Sequence, residues 1–180
     1  MITGASSSAA IGAMQIVKIF GLKTIAVSRT LKKAKELKSI GYDEVLALED
    51  DNFEENVLDV TNGVGFDLSY DCVGGSHFVK LVNTVKARGL IVNYGNLNLD
   101  YSKIYTLPLL GKRIHLRFHS IFDTMRFADQ RKEGVDWIND QMNKGNLKPI
   151  ISKVFDLNNI VDAHKYLGEG NQLGKTVVTT

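Results

Sequence analysis

Two short loops hold the residues with the most chemical content. The first is Thr3-Gly4-Ala5-Ser6-Ser7-Ser8-Ala9-Ala10. It follows Met1-Ile2 and leads into Ala9 to Phe20, where Ile11, Met14, Ile16, Val17 and Phe20 recur with a helical period. A strand that turns directly into a helix aims the helix N-terminus, with its unpaired N–H groups and positive dipole end, above the turn. Small residues there let a diphosphate come close to the backbone. Dinucleotide sites usually achieve this with the spacing G-x-G-x-x-G. The matching positions here are Ala5, Ser7 and Ala10, all small and none glycine. Ser6, Ser7, Ser8, Ala9 and Ala10 are therefore the candidate pyrophosphate contacts. The plainer alternative is a serine-rich turn with a helix cap.

The second loop is Ser28-Arg29-Thr30, with Lys32 and Lys33 just beyond. NAD sites place an acidic residue about 20 residues after the glycine-rich turn, where it accepts hydrogen bonds from the adenosine ribose. This loop carries no acid. A guanidinium instead forks onto a 2′-phosphate, and neighbouring hydroxyls add neutral donors. The loop thus predicts NADP(H) over NAD(H), with Ser28, Arg29, Thr30 and Lys33 as contacts. The alternative is a solvated basic helix start, with Lys32, Lys33, Lys35 and Lys38 mostly at the surface.

These loops need a scaffold, and the remaining pattern supplies one. Strand-like runs at Thr24–Ser28, Val45–Leu48, Phe66–Val73 and Gly89–Tyr94 alternate with helix-like runs at Leu31–Ile40, Phe53–Val60 and Phe78–Lys86. Such alternation means βαβ units and a parallel sheet. The fold class is α/β, a doubly wound parallel sheet of Rossmann type in three α/β/α layers. Gly95 to Gly111 reads as irregular and Arg113–Phe118 as an edge strand. Asp123–Asn143 reads as one long helix, Pro149–Phe155 as a strand, Asn158–Leu167 as a helix and Lys175–Thr179 as a last strand. The opening Met1-Ile2-Thr3-Gly4 reads as a strand already under way, as in a domain truncated at its first strand.

Composition excludes several classes. The chain has 180 residues, 44% hydrophobic and 23% charged, as one globular domain does. A net charge of +2 gives no argument for nucleic acid or membrane partners. The single cysteine, Cys72, excludes an internal disulfide and a multi-cysteine zinc site, and reads as a small buried hydrophobe. No run is long and apolar enough to span a bilayer and no signal peptide is read, so a cytoplasmic location is expected. His115 and His119 on one strand lie about 13 Å apart at about 3.3 Å per residue, too far to share a metal. His77 and His164 read as structural, and Asp50-Asp51 with Glu54-Glu55 as a solvated helix start. A short-chain dehydrogenase would need Tyr-x-x-x-Lys. None of Tyr42, Tyr70, Tyr94, Tyr101, Tyr105 or Tyr166 is followed four residues later by lysine.

The run Ile2 to Ile16 resembles the first βα unit of medium-chain dehydrogenase/reductases, closest to the zinc-type alcohol dehydrogenase-like proteins and quinone oxidoreductases. Ser28-Arg29-Thr30, Asp71-Cys72-Val73-Gly74-Gly75, Asn146-Leu147-Lys148-Pro149, Asp162-Ala163-His164 and Gly174-Lys175-Thr176-Val177-Val178 add to the resemblance, which covers nearly the whole chain. Ala10 departs from the family's glycine, and Leu48 from a tyrosine common in NADPH-binding relatives. The resemblance implies that Cys72 and Val73 border the adenosine ribose and the centre of the cofactor. It places Asn93, Tyr94 and Gly95 near the nicotinamide ribose, and Phe118, His119 and Ser120 at the carboxamide. Strand-end turn chemistry remains the alternative for Asn93 and Tyr94, and core packing for Phe118. It further implies a homodimer joined along Arg113–Phe118, and a separate substrate domain that holds the catalytic groups and any zinc ligands. Residues 1–180 are then a single NADP(H)-binding domain with no catalytic or metal residue of its own. The intact protein would pass hydride from NADPH to a small electrophile: a quinone, an enone or a carbonyl compound. An NADPH-binding module without turnover is the other reading.

Overall fold

A computed structural model describes all 180 residues. Its centre is a six-stranded sheet in the order β3-β2-β1-β4-β5-β6, every neighbouring pair parallel. The strands are β1 Ile2–Thr3, β2 Ile25–Ser28, β3 Glu44–Ala47, β4 Phe66–Asp71, β5 Val85–Asn93 and β6 His115–Phe118. The chain winds outward from β1 to β3, then returns to start again at β4. This reversal sets β1 beside β4 and leaves a crevice above their carboxyl ends.

Side-chain alternation explains why helices cover both faces. Within β2, Ile25 and Val27 point into one core with Phe53 and Val57 of α3 (Phe53–Val60) and Phe78, Leu81 and Val82 of α4 (Phe78–Thr84). Ala26 points the other way, toward Ala10, Ile11 and Met14 of α1 (Ser8–Ile19), Leu37 of α2 (Ala34–Ser39), and Tyr42. Successive residues of a strand face opposite sides, so two cores form on one sheet. Burying a large side chain such as Phe53 or Leu81 completely contributes about 2–3 kcal/mol.

Four features differ from the sequence reading. The stretch after Gly95 ends in a helix, α5 (Thr106–Lys112). Pro108 lies in its first turn, where a missing N–H breaks no intrahelical bond. The segment read as one helix over Asp123–Asn143 is two: α6 (Ile121–Met125) and α7 (Ala128–Asn143). Phe127 between them is extended, at φ −97° and ψ 113°, and its carbonyl starts the second helix by accepting the N–H of Arg131 at 3.0 Å. Strand β5 begins at Val85 rather than Gly89, with an irregular register against β4 between Phe66 and Leu68. Finally, β7 (Ile151–Asp156) and β8 (Lys175–Thr179), joined through α8 (Ile160–Gly168), form a separate two-stranded parallel sheet.

Candidate functional site

Each of the expected site residues lies at or just past the carboxyl end of a strand of the main sheet. Ser6 to Ala10 follow β1, Ser28 to Lys33 end and follow β2, and Cys72 and Val73 follow β4. Asn93 closes β5, with Tyr94 and Gly95 beyond it, and Phe118 closes β6 ahead of His119 and Ser120. The structure thus gathers them along one edge.

Sequence dictates the first turn locally. Gly4 takes φ +60°, and a Cβ there would stand 2.7 Å from Cys72 Sγ, so a larger residue is excluded by conformation and by space. Ser7 then caps α1, its Oγ accepting the N–H of Ala10 at 3.2 Å. No hydrogen bond of the chain uses the N–H of Ser6 or of Ala9. No acidic residue occupies the first turn of this twelve-residue helix. Free donors and an uncompensated dipole end fit a phosphate anion. Ala10, in the place of the family's glycine, is fully buried and packs without opening the turn. The Tyr42 hydroxyl reaches the carbonyls of Ala5 (3.2 Å) and Ala10 (3.1 Å), tying turn and helix together. Burial pushes the Tyr42 phenol well above its usual range, so it stays a donor. Gly174 runs beside the loop, its N–H donating to the Ser6 carbonyl at 2.9 Å, and leaves Ala9 exposed.

The centre of the edge is organised by a residue that the sequence reading did not single out. Asp71, the last residue of β4, is fully buried. Its carboxylate accepts hydrogen bonds from Thr3 Oγ1 (2.6 Å), Asn93 Nδ2 (2.9 Å) and the N–H groups of Gly74 (3.1 Å) and Val73 (3.2 Å). Burial alone would raise its pKa; nearby His77, with the donors of Thr3, Asn93 and Val73, outweighs this and holds it below the usual carboxylate value. Through Asp71 the ends of β1, β4 and β5 are fastened together. Thr3 Oγ1 also accepts the N–H of Cys72 at 3.1 Å. The signal available beforehand was an acidic residue ending a strand beside Ser69 and Tyr70, since a buried carboxylate demands partners.

Asn93 is spent on this scaffold, its amide donating to Asp71 and to the Gly95 carbonyl. Gly74 and Gly75, at φ +60° and +72°, pass directly under Asn96 and Asn98, where any Cβ would collide with those side chains. Tyr94 stacks on Tyr70 with ring centroids 3.8 Å apart, and its buried hydroxyl has no hydrogen-bond partner. Burial, reinforced by the Cys72 thiol, raises the Tyr94 phenol far above its normal value. Burial likewise pushes the Cys72 thiol up. Both stay protonated near neutrality. His77 Nε2 stands 3.9 Å from Asp71 Oδ1, beyond hydrogen-bond length. Phe118 is not a core residue, being 72% exposed, and His119 donates its N–H to the Asn93 carbonyl at 2.9 Å.

The β2 end is looser. Arg29 is exposed, and its Nε lies 3.8 Å from Oε1 of Glu49, just past β3. That carboxylate comes from the neighbouring loop, which a search confined to the β2 loop passes over. Ser28 spends its hydroxyl proton on the Thr30 carbonyl (2.6 Å), while Thr30 Oγ1 accepts from Lys32 N–H and keeps its own proton free. Lys33 Nζ donates to the carbonyls of Gly170 (2.7 Å) and Gln172 (2.9 Å), leaving one of its three protons. Leu48 packs against the sheet core.

Comparison with known proteins follows the same outline. A family described as zinc-binding dehydrogenase matches residues 40–178. Over 181 residues the chain is 28% identical to the acryloyl-coenzyme A reductase of Sulfurisphaera tokodaii, covering 99% of this chain and 49% of that protein. It is 26% identical over 160 residues to a 2-haloacrylate reductase of a Burkholderia species, covering 88% and 48%. The chain therefore spans about half the length of these relatives. Escherichia coli quinone oxidoreductase, solved in complex with NADPH, superposes with a TM-score of 0.87 at 20% identity over 99% of this chain and 56% of that one.

Proposed function

The chain belongs to the zinc-binding dehydrogenases of the medium-chain dehydrogenase/reductase superfamily, and we propose that it is the NADP(H)-holding part of an oxidoreductase that reduces an activated double bond or carbonyl. The observation that carries this reading is the pairing of two anion-ready features on one sheet edge. These are the donor-bearing N-terminus of α1 and, one strand away, Arg29. The first takes the pyrophosphate over Ser6 to Ala10; the second takes the 2′-phosphate, helped by the Thr30 hydroxyl and the remaining proton of Lys33. Cys72, Val73, Tyr94 and Gly95 line the middle of the cofactor, and Phe118, His119 and Ser120 its nicotinamide end. The cofactor supplies the hydride, and these residues fix where it points.

The substrate class follows from the relatives. Acryloyl-coenzyme A and 2-haloacrylate are both alkenes conjugated to a carbonyl or carboxyl group, and the reductases named for them are similar to this chain. Quinones share that conjugated acceptor chemistry. Groups that bind the acceptor and deliver its proton belong to a substrate domain outside these 180 residues, so this chain alone binds cofactor without turnover. A cofactor-binding module that never turns over is the second reading, in which buried Cys72 and Tyr94, held protonated near neutrality, supply no base. The protein would work in the cytoplasm; no helix is long and apolar enough to cross a membrane.

Strand β6 is one of the two edges of the sheet, with exposed Leu107, Leu110 and Phe122 in the helices on either side of it in the chain. Such an edge seeks a partner strand, and we propose a homodimer joined there, which a monomeric mass in light scattering would exclude. The deciding experiment for the cofactor is titration with NADPH and NADH by fluorescence. NADPH binds at least tenfold more tightly, and Arg29→Ala removes most of that advantage; equal affinities in the unmodified chain overturn the reading.

A further inference from the structure

We infer that Glu49 sets the strength of this site's preference for NADPH over NADH, by competing with the 2′-phosphate for the Arg29 guanidinium and repelling the phosphate's charge. The inference rests on the reading that Arg29 receives the 2′-phosphate.

Backbone pairing brings the two residues into one neighbourhood. Strands β2 and β3 pair in register to Ser28 opposite Ala47, and the pairing continues past both strand ends. Leu48 donates its N–H to the Ser28 carbonyl at 2.8 Å, and Glu49 to the Arg29 carbonyl at 3.2 Å. Adjacent strands run about 5 Å apart, and past their ends the Glu49 and Arg29 side chains meet, Oε1 to Nε at 3.8 Å. Their side chains are 62% and 81% exposed, leaving both open to a ligand, and Glu49 is Arg29's one ion-pair partner.

Two other charges near the loop are already engaged. The Asp50 carboxylate accepts from the N–H of Asn52 and the amide of Asn56, which turns it toward the start of α3. Lys33 lies against the carbonyls of Gly170 and Gln172. Arg29 is the guanidinium this reading gives the 2′-phosphate, and a carboxylate faces it. The phosphate, with a second pKa near 6, is largely a dianion at neutral pH. A unit negative charge held about 5–6 Å from a dianion across solvent weakens its binding by about tenfold, and less as salt rises. NADH, which carries a hydroxyl there, escapes that penalty.

The test measures dissociation constants of the full chain for NADPH and NADH, and for the fragments 2′,5′-ADP and 5′-AMP, which carry and lack the phosphate. The proteins are the unmodified chain, Glu49→Gln, Arg29→Gln and the double variant. Glu49→Gln raises the NADPH:NADH preference about five- to tenfold and the 2′,5′-ADP:5′-AMP preference equally. Both gains shrink with added salt, and the melting temperature does not move. Arg29→Gln lowers both preferences. A Glu49→Gln preference within twofold of the unmodified chain, while Arg29→Gln still lowers it, overturns the role given to Glu49. A preference unchanged in Arg29→Gln overturns the placement of the 2′-phosphate itself.

Discussion

At the carboxyl ends of β1, β4 and β5, Thr3, Asp71 and Asn93 exchange hydrogen bonds with Asp71 and Thr3 sealed from water; at the end of β2, Arg29 stands in solvent against one carboxylate. Both regions belong to the proposed cofactor site, yet their physics is opposite. The inner one is costly to build, because an ionised group is taken out of water and every lone pair must be matched. In return it fixes the loops to a single geometry. The outer one costs little, since charges in water interact weakly, and it can therefore change its ligand preference without disturbing the fold. On the proposed reading, positioning resides in the buried part and selectivity in the exposed part.

Substitutions break or sharpen that contrast, and the largest effect falls at its centre. Asp71→Asn places an amide where donors converge and costs about 3–5 kcal/mol in denaturant unfolding; a loss under about 1 kcal/mol would mean that the buried network does not hold the strand ends. Gly4→Ala forces a side chain into positive φ and onto Cys72 Sγ. It costs about 1–3 kcal/mol and weakens NADPH and NADH equally, because it disturbs the turn and not the phosphate at the far end. Acid comes next. The folded chain holds Asp71 below its usual pKa and Asp43 down to about 2, where hydrogen bonds from Lys18 and Thr24 override partial burial. Unfolding thus takes up protons, so stability is complete above about pH 4 and falls as pH drops toward 2. Thermal melts across that range detect the loss, and Asp71→Asn flattens part of it. Smallest is Arg29→Ala, which changes unfolding free energy by less than about 0.5 kcal/mol while shifting cofactor preference. A large stability loss there would contradict the view of the β2 end as a loosely held arm.

The sequence disclosed the outer region better than the inner one. Ser28-Arg29-Thr30 is contiguous, and its chemistry is legible from residue types alone. The Asp71 network joins residues 3, 71 and 93, and contiguity says nothing about contacts of that range. The serine loop and the order of strands and helices were likewise visible, because period and turn residues are local signals. Glu49 escaped because it reaches Arg29 from the adjacent strand, through a register that emerges only when the sheet forms. The break at Phe127 left no proline or glycine to mark it, and the helix over Thr106–Lys112 carries a proline that reads as a breaker unless its place in the first turn is known.

Cys72 offers a gauge of the first turn's breathing. It is the chain's single thiol, it is buried, and Gly4 closes over its sulfur. A thiol reagent can reach it only when that turn lifts, so the labelling rate divided by that of a free thiol gives the fraction of time spent open. A dinucleotide seated across Ser6 to Ala10 would slow the reaction in proportion to its occupancy, providing an assay of cofactor docking that requires neither a substrate nor turnover.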